Sequence, residues 1–214
     1  MRTRNVLIVD DHPIVRQGLT QLIGAESDLD VCGDAASVDE ALDLLESAEP
    51  DVVILDLSLP DSDGLELLKQ IRKETRHLPV LVLSMHDESM YAERLLSAGA
   101  NGYIMKQAAA DQLLIALRRV LAGGVYVSEG LGSIMIERIS GDGRRTMANP
   151  IERLSNRELQ VLNLIGQGRT TREVAETLNL SVKTVESHRQ RIKKKLNLQT
   201  SAQLVKFAVS SYAQ

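Results

Sequence analysis

At 214 residues the chain is long enough for two modest domains, each able to bury a core of its own. With 43 % apolar residues but only 2 % aromatic, no Trp and one Phe, those cores must be Leu, Val, Ile and Ala, and stacking on single-stranded nucleic acid is disfavoured. The net charge of −4 hides a split: residues 1–125 carry 11 Lys and Arg against 21 Asp and Glu, whereas residues 151–214 carry 11 against 5.

An acidic half joined to a basic half points to nucleic acid as the partner of the second, and to attraction between the halves. The single cysteine, Cys32, excludes an intramolecular disulfide and a cysteine metal cluster, and reads as a core thiol within an apolar run. No apolar stretch approaches the ~20 residues of a membrane span. The basic start MRTR runs into a strand-like segment rather than a signal sequence, so a cytoplasmic location without a membrane partner is expected.

Along residues 1–123, short apolar runs at 6–10, 31–35, 51–56, 80–84 and 102–105 alternate with amphipathic stretches near 13–24, 37–48, 64–76, 88–98 and 110–122. The runs are apolar on both faces, as in a parallel sheet covered by helices on each side. Ser37 with Glu40 forms a capping-box signature for the second helix. Five such units predict a doubly wound α/β domain, and Gly123-Gly124 ends its last helix.

Residues 124–148 are glycine-rich, with one apolar patch at Ile134–Ile136, and read as a linker holding one short helix. From 149 to 214 the strand pattern is gone. Four helices follow, three of them announced by Ser155 with Glu158, Thr170 with Glu173 and Thr200 with Gln203, and the third by Ser181 as N-cap.

Chemistry concentrates at the predicted strand ends. Asp10 and Asp11 end the first strand and Asp56 the third, and open α/β sheets bind ligands outside the carboxyl ends of their strands. Three converging carboxylates repel one another and need a hard cation, which argues for Mg2+. Ser84 after the fourth strand and Lys106 after the fifth add a hydroxyl and an ammonium. Such a set can stabilise a transferring phosphoryl group. Pro60 and Gly64 read as turn residues between strand and helix.

The set Asp10-Asp11, Asp56 in VVILDLSLPDSDG, Ser84 in LVLSMHD and Lys106 resembles the receiver domains of two-component systems. That resemblance implies a flavodoxin-like five-stranded sheet, with Asp56 as the phospho-acceptor. Asp11 and Asp56 would give metal carboxylates, Asp10 would hold a metal-bound water, and the Ser58 carbonyl would add a ligand. Ser84 would receive a phosphoryl oxygen, Lys106 would pair with the phosphate, and Tyr103 would be the switch aromatic. Gln107 departs from the family, which often has Pro there.

In the last part, helix 171–178, a tight turn at 179–181 and helix 182–196 form a helix-turn-helix, whose second helix enters the major groove. Val185, Ile192 and Leu196 recur at helical spacing and face the core, and His188 reads as a hydrogen-bonded histidine at its border. The opposite face carries Lys183, Glu186, Ser187, Gln190 and Lys194, flanked by Arg189 and Lys193, with Thr184 at the helix start. This is the rim of a phosphate-contacting helix.

Residues 151–209 are similar to the luxR-type helix-turn-helix of NarL/FixJ response regulators, through L-x-x-R-E-x-x-V-L at 154–162, Glu173-Val174-Ala175, T-V-x-x-H at 184–188 and Lys195-Leu196. The resemblance implies that Glu186, Ser187 and Gln190 read bases. The last helix, 201–209, is expected to expose Leu204, Val205 and Ala208 at 3–4 spacing, and the resemblance implies that it pairs two copies on inverted half-sites of double-stranded DNA. Many relatives have Lys in place of Glu186.

The expected function is therefore a transcriptional response regulator rather than an enzyme on external substrates. A histidine kinase would phosphorylate Asp56, freeing a basic domain otherwise masked by the acidic one to dimerise on DNA. Two alternatives stand: a phosphorylation-independent regulator, and a Mg2+-dependent aspartyl phosphatase. The latter would want a second Asp at position 58, where this chain has Ser.

Overall fold

A computed structural model of the chain describes residues 2–59, 64–75, 77–85, 88–108, 110–133 and 150–212. The chain divides into two compact units, Met1–Asp142 and Gly143–Gln214.

The first unit runs β1 (Arg4–Val9), α1 (Pro13–Gly24), β2 (Leu29–Ala35), α2 (Val38–Ser47), β3 (Val52–Asp56), α3 (Gly64–Glu74), β4 (Val80–Ser84), α4 (Glu88–Ser97), β5 (Gly102–Met105) and α5 (Ala110–Leu121). All strand pairs are parallel, in the order β2-β1-β3-β4-β5. The doubly wound α/β expectation holds.

Burial on both faces explains the unbroken Val/Ile/Leu runs. Val6, Ile8, Val52, Ile54, Leu81 and Leu83 pack with Leu19 and Ile23 of α1 and Leu113, Leu117 and Val120 of α5. The alternate residues Leu7, Val9, Val53, Leu55 and Val82 are equally buried, and the pleat directs them to the opposite face. Cys32 departs from the core-thiol expectation. It lies on the edge strand β2 and is half-buried, which still pushes its thiol pKa above the ordinary value.

Ser37 does cap α2, accepting from the Glu40 N–H at 3.3 Å. Its expected box is not closed, because the Glu40 carboxylate accepts instead from the Ala36 N–H at 2.7 Å. After α5, residues 129–133 are helical. Residues 134–149, including the Ile134–Ile136 patch and most of the expected linker, lie outside the described residues, as does Pro60. Among the described residues no helix is long and apolar enough to cross a membrane.

The second unit opens with a 3-10 turn, Pro150–Arg153, followed by α6 (Asn156–Gly166), α7 (Thr171–Thr177), α8 (Val182–Lys195) and α9 (Ser201–Tyr212). Both partners of the Ser155–Glu158 and Thr170–Glu173 capping boxes are engaged, and Thr200 and Gln203 exchange the same pair of bonds.

The helix ends are equally regular. Gly168, Asn179 and Asn197 take positive φ just beyond α6, α7 and α8. In each case the next residue donates back five positions: Arg169 to the Leu164 carbonyl, Leu180 to Ala175 and Leu198 to Lys193. These are Schellman stops, and they set the tight turn at 179–181 that separates α7 from α8. Leu154, Leu159, Leu162, Ile165, Val174, Ala175, Val185, Ile192, Leu204 and Ala208 fill the core.

Candidate phospho-acceptor and nucleic-acid sites

Register places the acidic residues. Val9 pairs with Leu55, so Asp10, one residue past β1, stands level with Asp56 at the end of β3. Asp56 pairs with Leu83, and Ser84 with Met105, so Ser84 and Lys106 each follow one step further along the rim. The order reverses between β1 and β3, and at this switch point the crevice opens.

Lys106 Nζ lies 2.6 Å from Asp10 Oδ2 and 2.7 Å from Asp56 Oδ2, and its backbone N–H donates to the Ser84 carbonyl at 2.7 Å. Burial pushes the Asp56 carboxyl above its ordinary range, while Lys106 and the nearby Ser58 N–H draw it back. Burial would lower the Lys106 ammonium, but Asp56 and Asp10 beside it win and raise it. Asp10, Asp56 and Ser84 are buried, Asp11 and Ser58 partly so, and the Tyr103 ring is enclosed.

The suitability of this site for a divalent cation shows in one atom. Asp56 is only 1 % exposed, yet its Oδ1 accepts no hydrogen bond among the described residues. A buried carboxylate oxygen left so is costly unless a cation or a covalent partner takes it. Asp10, Asp11 and Asp56 are grouped closely enough to share one ion. His12 belongs to that group too and is absent from the sequence expectations. Nothing marked it beyond its place after Asp11.

Gly64 is more than a turn residue. A Cβ there would stand 2.4 Å from the Asp56 carbonyl oxygen and 2.9 Å from Leu57 Cα, both backbone atoms with no room to yield. Gly64→Ala should therefore destabilise the first unit by about 1–3 kcal/mol, as overpacking does. Urea unfolding would measure it, and a wild-type midpoint would refute the close approach.

In the second unit, Lys183, Glu186, Ser187, Gln190 and Lys194 are exposed on α8, with Thr184, Arg189 and Lys193 at its margins. The Glu186 carboxylate accepts from the Thr171 hydroxyl at 3.1 Å and has Arg189 Nε at 3.6 Å, so neighbours on α7 and α8 orient it. The Ser187 hydroxyl donates to the Lys183 carbonyl at 3.0 Å, and those of Thr184 and Ser181 pair at 2.8 Å.

Two expectations need correction. Leu204 (0 %) and Ala208 (2 %) are not exposed: they pack into the domain core, and Val205 (42 %) and Val209 (48 %) form the outer stripe of α9. The helix is rotated so that its 204/208 pair faces inward. His188 makes no hydrogen bond among the described residues; its Nδ1 is buried alone, and burial holds its pKa below the ordinary value. A further contact had no local signal. Lys195 Nζ lies 2.6 Å from Oε2 of the buried Glu158, tying the end of α8 to the start of α6.

Each part of the chain matches a family of known proteins. Residues 6–118 match the response regulator receiver domain family, and residues 152–208 match the bacterial regulatory proteins of the luxR family. Oxygen regulatory protein NreC of Staphylococcus aureus is 36 % identical over 208 residues, 95 % of this chain and 96 % of that one. RcsB of Salmonella enterica serovar Typhimurium, solved bound to the promoter rprA with phosphomimetic beryllium fluoride, superposes with a TM-score of 0.62. It is 29 % identical, over 97 % of this chain and 99 % of that one. A two-component response regulator of the LuxR family from Aurantimonas sp. is 35 % identical with a TM-score of 0.60, over 64 % of this chain and 99 % of that one.

Proposed function

We infer that this chain, which belongs to the response regulators joining a receiver domain to a luxR-type DNA-binding domain, is switched by a phosphoryl group accepted on Asp56. The observation that carries the assignment is the buried Asp56 Oδ1, which accepts no hydrogen bond among the described residues, beside a carboxylate oxygen already paired with Lys106.

In the transfer, Asp56 Oδ1 attacks the phosphorus of a phosphohistidine on a sensor kinase. The P–N bond breaks, its electron pair leaves with the imidazole, and an acyl phosphate forms. Lys106 sits where it can pair with the arriving phosphoryl oxygens, and Ser84 at the next strand end can donate to one. Mg2+, when held by Asp11, Asp56 and the Ser58 carbonyl, with Asp10 directly or through a bound water, would neutralise charge that Lys106 alone cannot balance. The test is incubation of the full-length chain with acetyl phosphate: one phosphoryl mass should appear with Mg2+ and not with EDTA in its place.

The output is regulation of transcription through double-stranded DNA, with α8 in the major groove and a pair of copies on inverted half-sites meeting through Val205 and Val209. Glu186 and Gln190 would read base edges, Glu accepting from cytosine N4 and Gln pairing with adenine, each for about 1–3 kcal/mol of discrimination. Lys183 and Lys193 would contact phosphates, which carry no sequence information.

Lys193→Ala should thus weaken specific and random DNA alike and reduce the salt slope by about one unit. Gln190→Ala should relax preference at one base position per half-site. Affinities for single-base operator variants at several salt concentrations would decide. A changed base preference in Lys193→Ala, with only the salt slope altered in Gln190→Ala, would reverse this docking.

A further inference from the structure

We propose that His12 is a further protein ligand of the acidic site, giving it a preference for divalent ions that accept nitrogen, such as Mn2+ and Ni2+, over Mg2+. This rests on reading the acidic site as a metal centre, and adds an imidazole to its oxygen donors.

Three observations carry it. His12 Nδ1 lies 2.6 Å from Asp11 Oδ1 and 3.2 Å from Asp10 Oδ1, so the ring is turned toward the carboxylates although its side chain is 61 % exposed. One donor atom from each of Asp10, Asp11, His12 and Asp56 falls within 4.8 Å of all the others. With metal–ligand bonds of about 2.0–2.3 Å, opposite donors on one ion stand about 4.0–4.6 Å apart, so the four need close only slightly. Finally, Lys106 engages Oδ2 of Asp10 and of Asp56, whereas His12 meets Oδ1 of Asp10 and of Asp11. The ammonium and the imidazole address different oxygens, and the buried Asp56 Oδ1 remains to complete the set.

The backbone holds the ring in place. His12 is the N-cap of α1, at φ −87 and ψ 110, and Pro13 follows at the first helical position. A residue before proline is confined to extended conformations, and the His12 N–H is itself anchored on Asp10 Oδ1 at 2.8 Å. Little backbone freedom is left to lose on ligation. An imidazole nitrogen favours transition ions in the order Mn2+ below Ni2+, and offers nothing to Mg2+, which takes oxygen donors.

The experiment is calorimetric titration of the full-length protein with NiCl2 and with MgCl2, on wild type, His12→Ala and His12→Asn. Circular dichroism would check that each is folded. The ratio of Ni2+ to Mg2+ affinity should fall by at least about tenfold in both variants, since even outer-shell partners of a metal ligand matter that much. Excess Mg2+ should displace Ni2+ from the wild type, which shows that the two ions share the site.

With Mn2+ bound, electron spin-echo spectra should show 14N modulation in wild type and none in either variant. An unchanged affinity ratio, or nitrogen modulation that survives in both variants, overturns the proposal. Failure of every ion to bind the wild type overturns the metal-centre reading itself, and this proposal with it.

Discussion

Asp56→Asn should take up no phosphoryl group from acetyl phosphate and Mg2+ under conditions in which the wild type gains one phosphoryl mass. Asparagine is nearly isosteric, so the end of β3 keeps its shape, and Lys106 retains Asp10 at 2.6 Å as a partner. What disappears is the anionic oxygen. An amide oxygen is a poor nucleophile, and among the described residues no other carboxylate stands ready in its place: Asp10 Oδ2 is paired with Lys106, and Asp11 Oδ1 is engaged by His12.

The loss should therefore be complete rather than partial, and visible as the missing mass increment in the intact protein. Uptake at the wild-type rate would mean that another residue is the acceptor. Asp11→Ala should instead weaken Mg2+ binding while Asp56 can still be phosphorylated at higher Mg2+. That contrast separates the nucleophile from a residue that only holds the ion.

Ile192→Ala should sharply weaken binding to specific and random DNA together, while phosphoryl uptake continues. Ile192 is fully buried on the inner face of α8, against the core that Val174, Val185 and Leu204 share. Cutting a buried Ile to Ala costs about 2–5 kcal/mol in lost burial and cavity. Single domains are stable by only about 5–15 kcal/mol, and small ones lie toward the low end.

The second unit would lose much of its stability and α8 its fixed presentation. The first unit has its own sheet and core, and should melt as before. Gel-shift titration and the acetyl phosphate assay on one preparation would show both results. Equal loss of phosphoryl uptake would show that the two units do not fold independently.

The acidic site was legible in the sequence because a parallel sheet converts linear order into position. Once five apolar runs are read as strands, Asp10, Asp56, Ser84 and Lys106 must lie on one rim, since each ends a strand and parallel strands all end on one side. The helix boundaries of the second unit were legible too, because Ser155, Thr170, Ser181 and Thr200 cap through hydrogen bonds that reach only three residues. Both rules are local or topological, and neither depends on the details of packing.

Other features were decided only by tertiary structure. Which stripe of α9 turns inward depends on how α6 receives it, and 3–4 spacing fits the 204/208 pair and the 205/209 pair equally well. Glu158 and Lys195 are 37 positions apart, and only the packing of α8 on α6 makes the basic end of one helix the partner of a carboxylate that sequence reads as a cap. Gly64 looks like any turn glycine until α3 presses onto the Asp56 carbonyl. The His12 ring likewise acquires its meaning from where Pro13 and the Asp10 carboxylate hold it. Periodicity and capping arise from the geometry of one element, and a sequence records them. Rotation, close approach and long-range ion pairing arise between elements, where many sequence-compatible arrangements are resolved only by the fit of whole side-chain surfaces.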